Sequence, residues 1–296
     1  MEHKPLFSVL IANYNNGDYI QKTIDSILNQ TYPYWEIIIV DDKSTDCSHQ
    51  IYEKYYSNTQ FHIYFNDKNM GCGYTKRKCV ELAHGEICGF VDADDCITTD
   101  AIAAMVLAHS THQNCSIIYS QYYITDNNLQ IHGISKSQRS LEEGHSLLDT
   151  PGAISHFVSF KKTKYNLTKG INPALRCAED LDLYYKLEEV GETLFIPQPL
   201  YYYRMFTGNN VSLGGNNQYK AIAYEILACA DACQRRGVAI DNVITTRILS
   251  VVESVRAEGI EIGQNTVKST TSFRIGKKIL SPIKRIKKIF HQLVGS

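Results

Sequence analysis

Ile87-Cys88-Gly89-Phe90-Val91-Asp92-Ala93-Asp94-Asp95 is a short apolar run that ends in three carboxylates within four residues. A run of this length, closed by a polar cluster, reads as a buried strand over 87–91 followed by an acidic turn. Magnesium and manganese take oxygen ligands, and one or two carboxylates plus substrate phosphates complete their shell. Asp92-Ala93-Asp94 at a strand end therefore suits a metal-bound diphosphate, and Asp95 stands beside it. An acidic turn with helix-capping aspartates gives the same three letters, so the tripeptide needs its context.

Working outward towards the N-terminus, β-rich runs alternate with helical patterns. Strands are expected over Phe7 to Ala12, Glu36 to Val40 and Phe61 to Phe65. Between them, Asn15 or Asn16 would cap a helix carrying Ile20, Ile24, Ile27 and Leu28, a second helix carries Ile51 and Tyr55, and a third crosses Thr75 to His84. Alternation of this kind builds βαβ units and a mostly parallel α/β sheet. Ligands gather beyond the carboxyl ends of such strands, and polar groups stand at three of these ends: Asn13-Tyr14-Asn15, Asp41-Asp42 and Asp92-Ala93-Asp94-Asp95. Tyr14 could stack on a base, and an Asp41 or Asp42 carboxylate could accept the imide N–H of uracil. Ser44 and Asp46 read better as caps of the next helix.

Towards the C-terminus the pattern loosens. A helix over Ala101 to His109 and a strand over Ser116 to Ser120 precede a polar stretch, 125–150, that reads as loop. A helix over Ala178 to Val190 follows, then Pro197-Gln198-Pro199 and Tyr201-Tyr202-Tyr203-Arg204, and from 216 the chain reads as helical. Cys177-Ala178-Glu179-Asp180-Leu181-Asp182 opens the 178–190 helix. Carboxylates favour a first helical turn through its dipole, so this segment alone is a capped helix start as readily as a catalytic motif.

Four segments in this order resemble the family 2 glycosyltransferases: Val9-Leu10-Ile11-Ala12-Asn13-Tyr14-Asn15, Ser26-Ile27-Leu28-Asn29-Gln30-Thr31, Val40-Asp41-Asp42-Lys43-Ser44-Thr45-Asp46 and Phe90-Val91-Asp92-Ala93-Asp94-Asp95. Gly71 through Glu86 continues the match, with Lys76 where the family commonly carries arginine, and the likeness covers about 6–212. The resemblance implies the GT-A fold and an inverting transfer from a nucleotide-sugar donor. It implies that Ala12, Tyr14 and Asp42 line the base pocket, that Asn13, Asn15 and Asp41 belong to the same nucleotide-binding set, and that Lys76 faces the nucleotide or solvent. Asp92 and Asp94 would meet the ribose and the diphosphate with its Mn2+ or Mg2+ ion, Ala93 would lie in the same nucleotide-binding stretch, and Asp95 would support them.

The Glu179-Asp180 pair resembles the family's acidic pair beneath the acceptor. Inverting transfer needs a base opposite the leaving group, which makes Asp180 the expected general base and Glu179 an acceptor-orienting group. Asp182, two residues on, points elsewhere on a helix. Tyr203-Arg204-Met205-Phe206 resembles the family's Tyr-Arg-x-His, with Phe206 in place of histidine, so Arg204 or the aspartates would hold the diphosphate without it. Ala12 stands where many members have proline.

The implied organisation is a GT-A domain over 1–215, with a nucleotide-binding half over 1–97 and an acceptor half over 98–215. A helical region over 216–296 would follow it. The chain has 296 residues with 44% hydrophobic content, enough for a sizeable core. Nine cysteines without paired C-x-x-C spacing argue against a disulfide framework or a structural zinc site, and Cys229 and Cys233 read as packed thiols. Neither a signal peptide nor a run of about 20 apolar residues is visible, so a cytoplasmic enzyme is expected.

Residues 268–296 hold eight of the 30 basic residues and no acid, against an acidic body. Within 273–293, Ile275, Ile279, Ile283, Ile286, Phe290 and Leu293 fall at helical spacing among lysines and arginines, interrupted by Pro282. A basic amphipathic segment of this kind suits an anionic membrane surface, which would bring the enzyme to a lipid-linked acceptor. A helix packed on the acidic body is the alternative, and nucleic acid is not an expected partner. A phosphatase would place its first aspartate near the start of the fold, and a sugar nucleotidyltransferase would show a Gly-rich basic loop where Asn13-Tyr14-Asn15-Asn16-Gly17 stands. A noncatalytic protein of the same fold remains the third alternative. Among donors, uridine diphosphate is favoured over guanosine or thymidine diphosphate, and the sugar, the acceptor and the linkage are not legible.

Overall fold

The structure is a computed structural model that describes residues 4–205 and 216–240, with positions 243 and 245. Phe206 and the basic segment 273–293 lie outside the described residues. The described residues up to 243 belong to one compact unit.

The first half follows the expected alternation. Strand β1 (Phe7–Asn13) leads to α1 (Gly17–Leu28), and β2 (Trp35–Asp41) to the short α2 (Ser48–Tyr52), which runs on as a single tight turn. Then come β3 (Phe61–Phe65), α3 (Cys72–Leu82) and β4 (Ile87–Phe90). Strands β3, β2, β1 and β4 lie side by side and parallel, with Leu10 opposite Ile38 and Phe90. Nearly every residue of β1 and β2 is buried, as expected of strands covered on both faces.

Alternation along β1 separates two cores. Phe7, Val9 and Ile11 face Ile20, Ile24 and Ile27 of α1, and Ile102 and Met105 of α4 (Ala101–Thr111). Leu10, with Ile38 and Val40 of β2, faces Cys79 and Val80 of α3, and this second core continues to Leu183 and Leu187 of α6 (Glu179–Glu188). Helix α7 (Asn216–Arg236), which the sequence reading assigns to the region beyond 215, adds Ala228, Cys229, Ala232 and Cys233 to this second core. Both cysteines are buried free thiols.

Beyond β4 the sheet is mixed, where the sequence reading expected it mostly parallel. Strand β5 (Cys96–Ile97) precedes α4, and β6 (Cys115–Thr125) is longer than the expected 116–120. Within the expected 125–150 loop, β7 (Ile131–Ile134) pairs with β6. Strand β8 (Val158–Lys161) enters between β4 and β6, antiparallel to both, and leads into α5 (Lys162–Tyr165). Strand β9 (Glu192–Arg204) then runs parallel to β6 and closes on β5.

The prolines hid β9 from sequence reading. The β6–β9 register shifts between Ser120 and Gln121, where the partner jumps from Ile196 to Pro199, so Pro197 falls in the break and Pro199 at its edge. A proline is tolerated where the ladder is already interrupted.

Candidate active site

The carboxyl ends of β1 and β2 are tied together by buried side chains. Asn13 is 1% exposed, and its Nδ2 lies 2.7 Å from the Tyr52 hydroxyl and 3.1 Å from Asp41 Oδ2. Asp41 also accepts from Tyr52 Oη and the Ser44 amide, at 3.0 and 2.7 Å. Asn15 adopts a left-handed backbone (φ 57°), and its Oδ1 accepts the Thr45 amide at 2.8 Å while its own amide donates to Ser44 Oγ at 2.9 Å. Asn13, Asn15 and Asp41 thus brace the loops at the carboxyl ends of β1 and β2.

Helix capping is redistributed among these loops. Neither Asn15 nor Asn16 caps α1 through its side chain; Asp46 does, accepting the Gly17 amide at 2.7 Å. The same carboxylate accepts the Ser48 amide at the start of α2, at 3.0 Å, whereas Ser44 binds Asn15. Tyr14 stands at the end of β1 with 48% of its surface exposed, and Ala12 lies half-buried against the α3 core. Asp42 is buried and holds the loop before α3, accepting Asn66 Nδ2 at 2.8 Å and the Met70 and Gly71 amides at 2.7 Å each. Gly71, at φ 91°, opens that turn in a conformation few other residues adopt.

The acidic turn after β4 alternates across the sheet. Ala93 is buried on the α1 side, where its carbonyl accepts Thr23 Oγ1 at 2.9 Å, while Asp92 turns towards α3 and α6 with 38% of its side chain exposed. Asp95 is buried and fastens the turn to β9, accepting the Tyr201 hydroxyl at 2.8 Å and the Arg204 amide at 2.7 Å. Burial and the charges of Asp94 and Asp92 push the Asp95 carboxyl well above the usual carboxylate range.

Arg204 is fully buried, against the expectation of a group facing substrate. Its guanidinium donates to the Asp94 carbonyl and, at 3.2 Å, to the Asn127 carbonyl, and it lies 5.3 Å from the Tyr19 ring centroid. It shapes the backbone of the acidic turn.

Lys76 joins this turn to the acidic helix start, far away in sequence. Its ammonium lies 2.8 Å from Glu179 Oε1, 3.7 Å from Asp92 Oδ1 and 5.5 Å from the Phe90 ring centroid, with 11% of the side chain exposed. The solvated reading of Lys76 does not hold. Burial works against its charge, but Glu179 first, and Cys72, Asp92 and Asp180 after it, raise its pKa well above that of a free lysine. Helices α3 and α6 meet closely because Gly73 passes the 172–175 loop, where a Cβ would approach Leu175 O to 2.5 Å.

Glu179 and Asp180 open α6 behind Ala178, whose left-handed backbone (φ 56°) is a strained conformation for a residue with a Cβ. Glu179 is desolvated, yet Lys76 and the Cys72 thiol hold its carboxyl below the usual range. Asp180 goes the other way: burial, then the charge of Glu179, push it up to about 6 despite Lys76. Two adjacent carboxylates with pKa values driven apart can divide the work of orientation and proton transfer. Asp182 is buried away from the pair, bonded to Lys186 Nζ at 2.6 Å and to the Asn172 amide at 3.1 Å.

One site residue escaped sequence reading. His156, in the loop before β8, stacks on Tyr203 and Tyr201 with centroids 4.6 and 5.2 Å away, and places Nδ1 3.7 Å from Asp92 Oδ2. Burial lowers its pKa more than Asp92 raises it, which keeps the imidazole neutral and able to ligate. Asp92, Asp95 and His156 bring ligand atoms within 4.8 Å of one another. A histidine therefore stands with the aspartates of the acidic turn, in addition to Arg204. No local motif marks His156, because β8 brings it in from about 60 residues away in sequence.

Acidic groups and an exposed tyrosine stand at the carboxyl ends of parallel strands, with a second acidic pair facing them, on a fold of the GT-A class. The profile described as glycosyl transferase family 2 matches residues 8–167. The chain belongs to glycosyltransferase family 2. It is 31% identical over 215 residues to chondroitin synthase of Escherichia coli, covering 72% of this chain and 31% of that one. It is 30% identical over 211 residues to hyaluronan synthase of Pasteurella multocida, covering 71% and 21%. The chain thus spans a third or less of the length of these relatives.

Among solved structures, TarS of S. aureus bound to UDP-GlcNAc superposes with a TM-score of 0.61 at 20% identity, covering 75% of this chain and 66% of that one. A mannosyltransferase from Pyrobaculum calidifontis, in complex with GDP-Man and Mn2+, gives 0.60 at 14% identity, covering 92% and 83%. At these identities the likeness shows the fold. No helix among the described residues is long and apolar enough to cross a membrane.

Proposed function

We propose that this glycosyltransferase moves a sugar from a uridine diphosphate donor, with inversion, to a hydroxyl of a glycan or lipid-linked polysaccharide precursor. The observation that carries the reading is Lys76, whose one ammonium contacts both Glu179 and Asp92. It sets the diphosphate end and the acceptor end of the reaction side by side.

In this reading Tyr14 stacks on the base, while Asn13, Asn15, Asp41 and Asp42 hold the loops that shape its pocket, with Ala12 lining it. Asp92, Asp95 and His156 bring two carboxylates and one neutral imidazole together, a donor set that with Asp94 of the same turn fits a Mn2+ or Mg2+ ion. When bound, such an ion offsets the charge that develops on the departing diphosphate. Asp95 and Arg204 keep the acidic turn in place. Glu179, fixed by Lys76, orients the acceptor, and Asp180 takes the proton from its hydroxyl as that oxygen attacks the anomeric carbon. A carboxylate held near 6 is ionised at neutral pH yet more basic than an ordinary aspartate, which suits a general base.

The relatives make polysaccharides, which supports a glycan acceptor, and the TarS complex supports a uridine donor. The charge pattern of 273–293 supports a peripheral position at the inner face of an anionic membrane.

A thermal-shift screen of nucleotide sugars, with and without Mn2+, tests the donor and the ion together. UDP-sugars are expected to raise the melting temperature in a Mn2+-dependent way, and Asp94→Ala is expected to abolish the Mn2+ effect. Transfer by Asp180→Ala at the wild-type rate would defeat the mechanism. A product retaining the donor's anomeric configuration, read by NMR, would defeat inversion.

A further inference from the structure

At the opposite, amino-terminal end of the parallel strands, three side chains from separate segments converge. Ser8 of β1, Glu36 of β2 and His62 of β3 lie near the starts of adjacent strands. All three share the face covered by α3, and His84, just beyond α3, completes the group.

The Glu36 carboxylate is 4% exposed, and its two oxygens have different tasks. Oε1 accepts three donors: Ser8 Oγ at 2.5 Å, the His84 amide at 2.6 Å and the Gly85 amide at 3.1 Å. Oε2 faces only imidazole nitrogens among the contacts described, His84 Nδ1 at 2.9 Å and His62 Nε2 at 3.3 Å. The bonds to Oε1 fix the carboxylate's orientation and leave Oε2 turned to the two rings.

Both rings reach solvent, with 31% of the His62 and 63% of the His84 side chain exposed, so an ion can arrive from outside. Donor atoms around a tetrahedral zinc ion at ~2.0 Å are ~3.3 Å apart, close to the separations seen here. Two imidazoles and one carboxylate, all within 4.8 Å, form a donor set that suits zinc better than magnesium or calcium.

We propose that Glu36, His62 and His84 form a binding site for a zinc-class divalent ion, separate from the catalytic centre, with a water as fourth ligand. Such an ion pins the starts of β2 and β3 to the end of α3, the helix that carries Lys76. The site does not depend on the proposed reaction.

The test is a calorimetric titration of Zn2+ into the full chain carrying His156→Ala, which takes the imidazole out of the Asp92, Asp95 and His156 group. His84→Ala and His62→Ala are then added to that background singly, and Co2+ is used in parallel for its visible absorption. We expect one equivalent of Zn2+ that raises the melting temperature. Its affinity is expected to fall at least about tenfold in each histidine variant, since each removes one of three protein ligands. Tetrahedral Co2+ absorption is expected in the parent and lost in the variants. Because His84 is largely exposed, its alanine variant is expected to fold, which circular dichroism checks. An equivalent of Zn2+ that survives in both histidine variants would assign binding to the free cysteines and overturn the proposal. So would the absence of any bound equivalent in the parent, which would leave the histidines as hydrogen-bond partners of Glu36.

Discussion

Replacing Glu179 by glutamine removes one charge beside the proposed base while keeping its shape, and the consequence for pH dependence has a definite sign. Asp180 is pushed from 3.8 to about 6, burial being the larger cause and Glu179 the second, with Lys76 acting against both. Removing the Glu179 charge therefore withdraws about one unit of the displacement and leaves burial in place. It also releases Lys76 from its ion pair, which acts in the same direction. A general base works ionised, so the rate falls as pH drops through its pKa. Wild-type kcat/KM is expected to retain about a tenth of its plateau at pH 5, whereas Glu179→Gln, with its limb near 5, retains about half of its own plateau. The plateau itself is expected to fall, because the variant loses an acceptor contact, so the profile's position and not its height is the readout. The assay is initial-rate transfer or donor hydrolysis from pH 4.5 to 8 at saturating Mn2+. An acidic limb that stays in place, or moves up, would refute the assignment of Asp180 as the titrating base.

Lys76→Met leaves a buried Glu179 and a half-buried Asp92 without their shared cation and is expected to cost about 3–5 kcal/mol in denaturant unfolding. Adding Glu179→Leu is expected to return most of that loss, because an apolar pair replaces an unpaired charge. Tyr14→Ala, at a largely exposed position, is expected to leave the melting temperature unchanged and weaken UDP binding about tenfold by calorimetry. Unchanged affinity would remove Tyr14 from the base pocket.

Much of the first half was legible because its rules are local. The starts of β1 and β2, the helix between them and the acidic turn after β4 follow from hydrophobic runs, β-branched residues and polar punctuation. Beyond β4 the decisive forces are not local. Strand β9 reads as an interrupted, proline-containing segment until its pairing with β6 is known, and β8 is four residues long with no flanking turn signature. Within the site, residue types were readable but divisions of labour were not. Asp46 caps α1 across 29 positions, and Arg204 turns inward to Asp94 because Tyr19 and Asn127 happen to enclose it.

The sequence by itself carried the family, because a strand end bearing Asp92, Ala93 and Asp94, with Asp42 before it and Asp180 after it, resembles the family 2 glycosyltransferases in order and spacing without coordinates. Only the tertiary structure decided which groups touch. Lys76 and Glu179 are about a hundred positions apart, and His156 reaches Asp92 from the loop before a strand that local propensity does not announce. The physical reason is that short-range patterning fixes which face a residue presents, whereas its partner is set by sheet order and helix packing. Those depend on the summed burial of the two cores and not on any one segment.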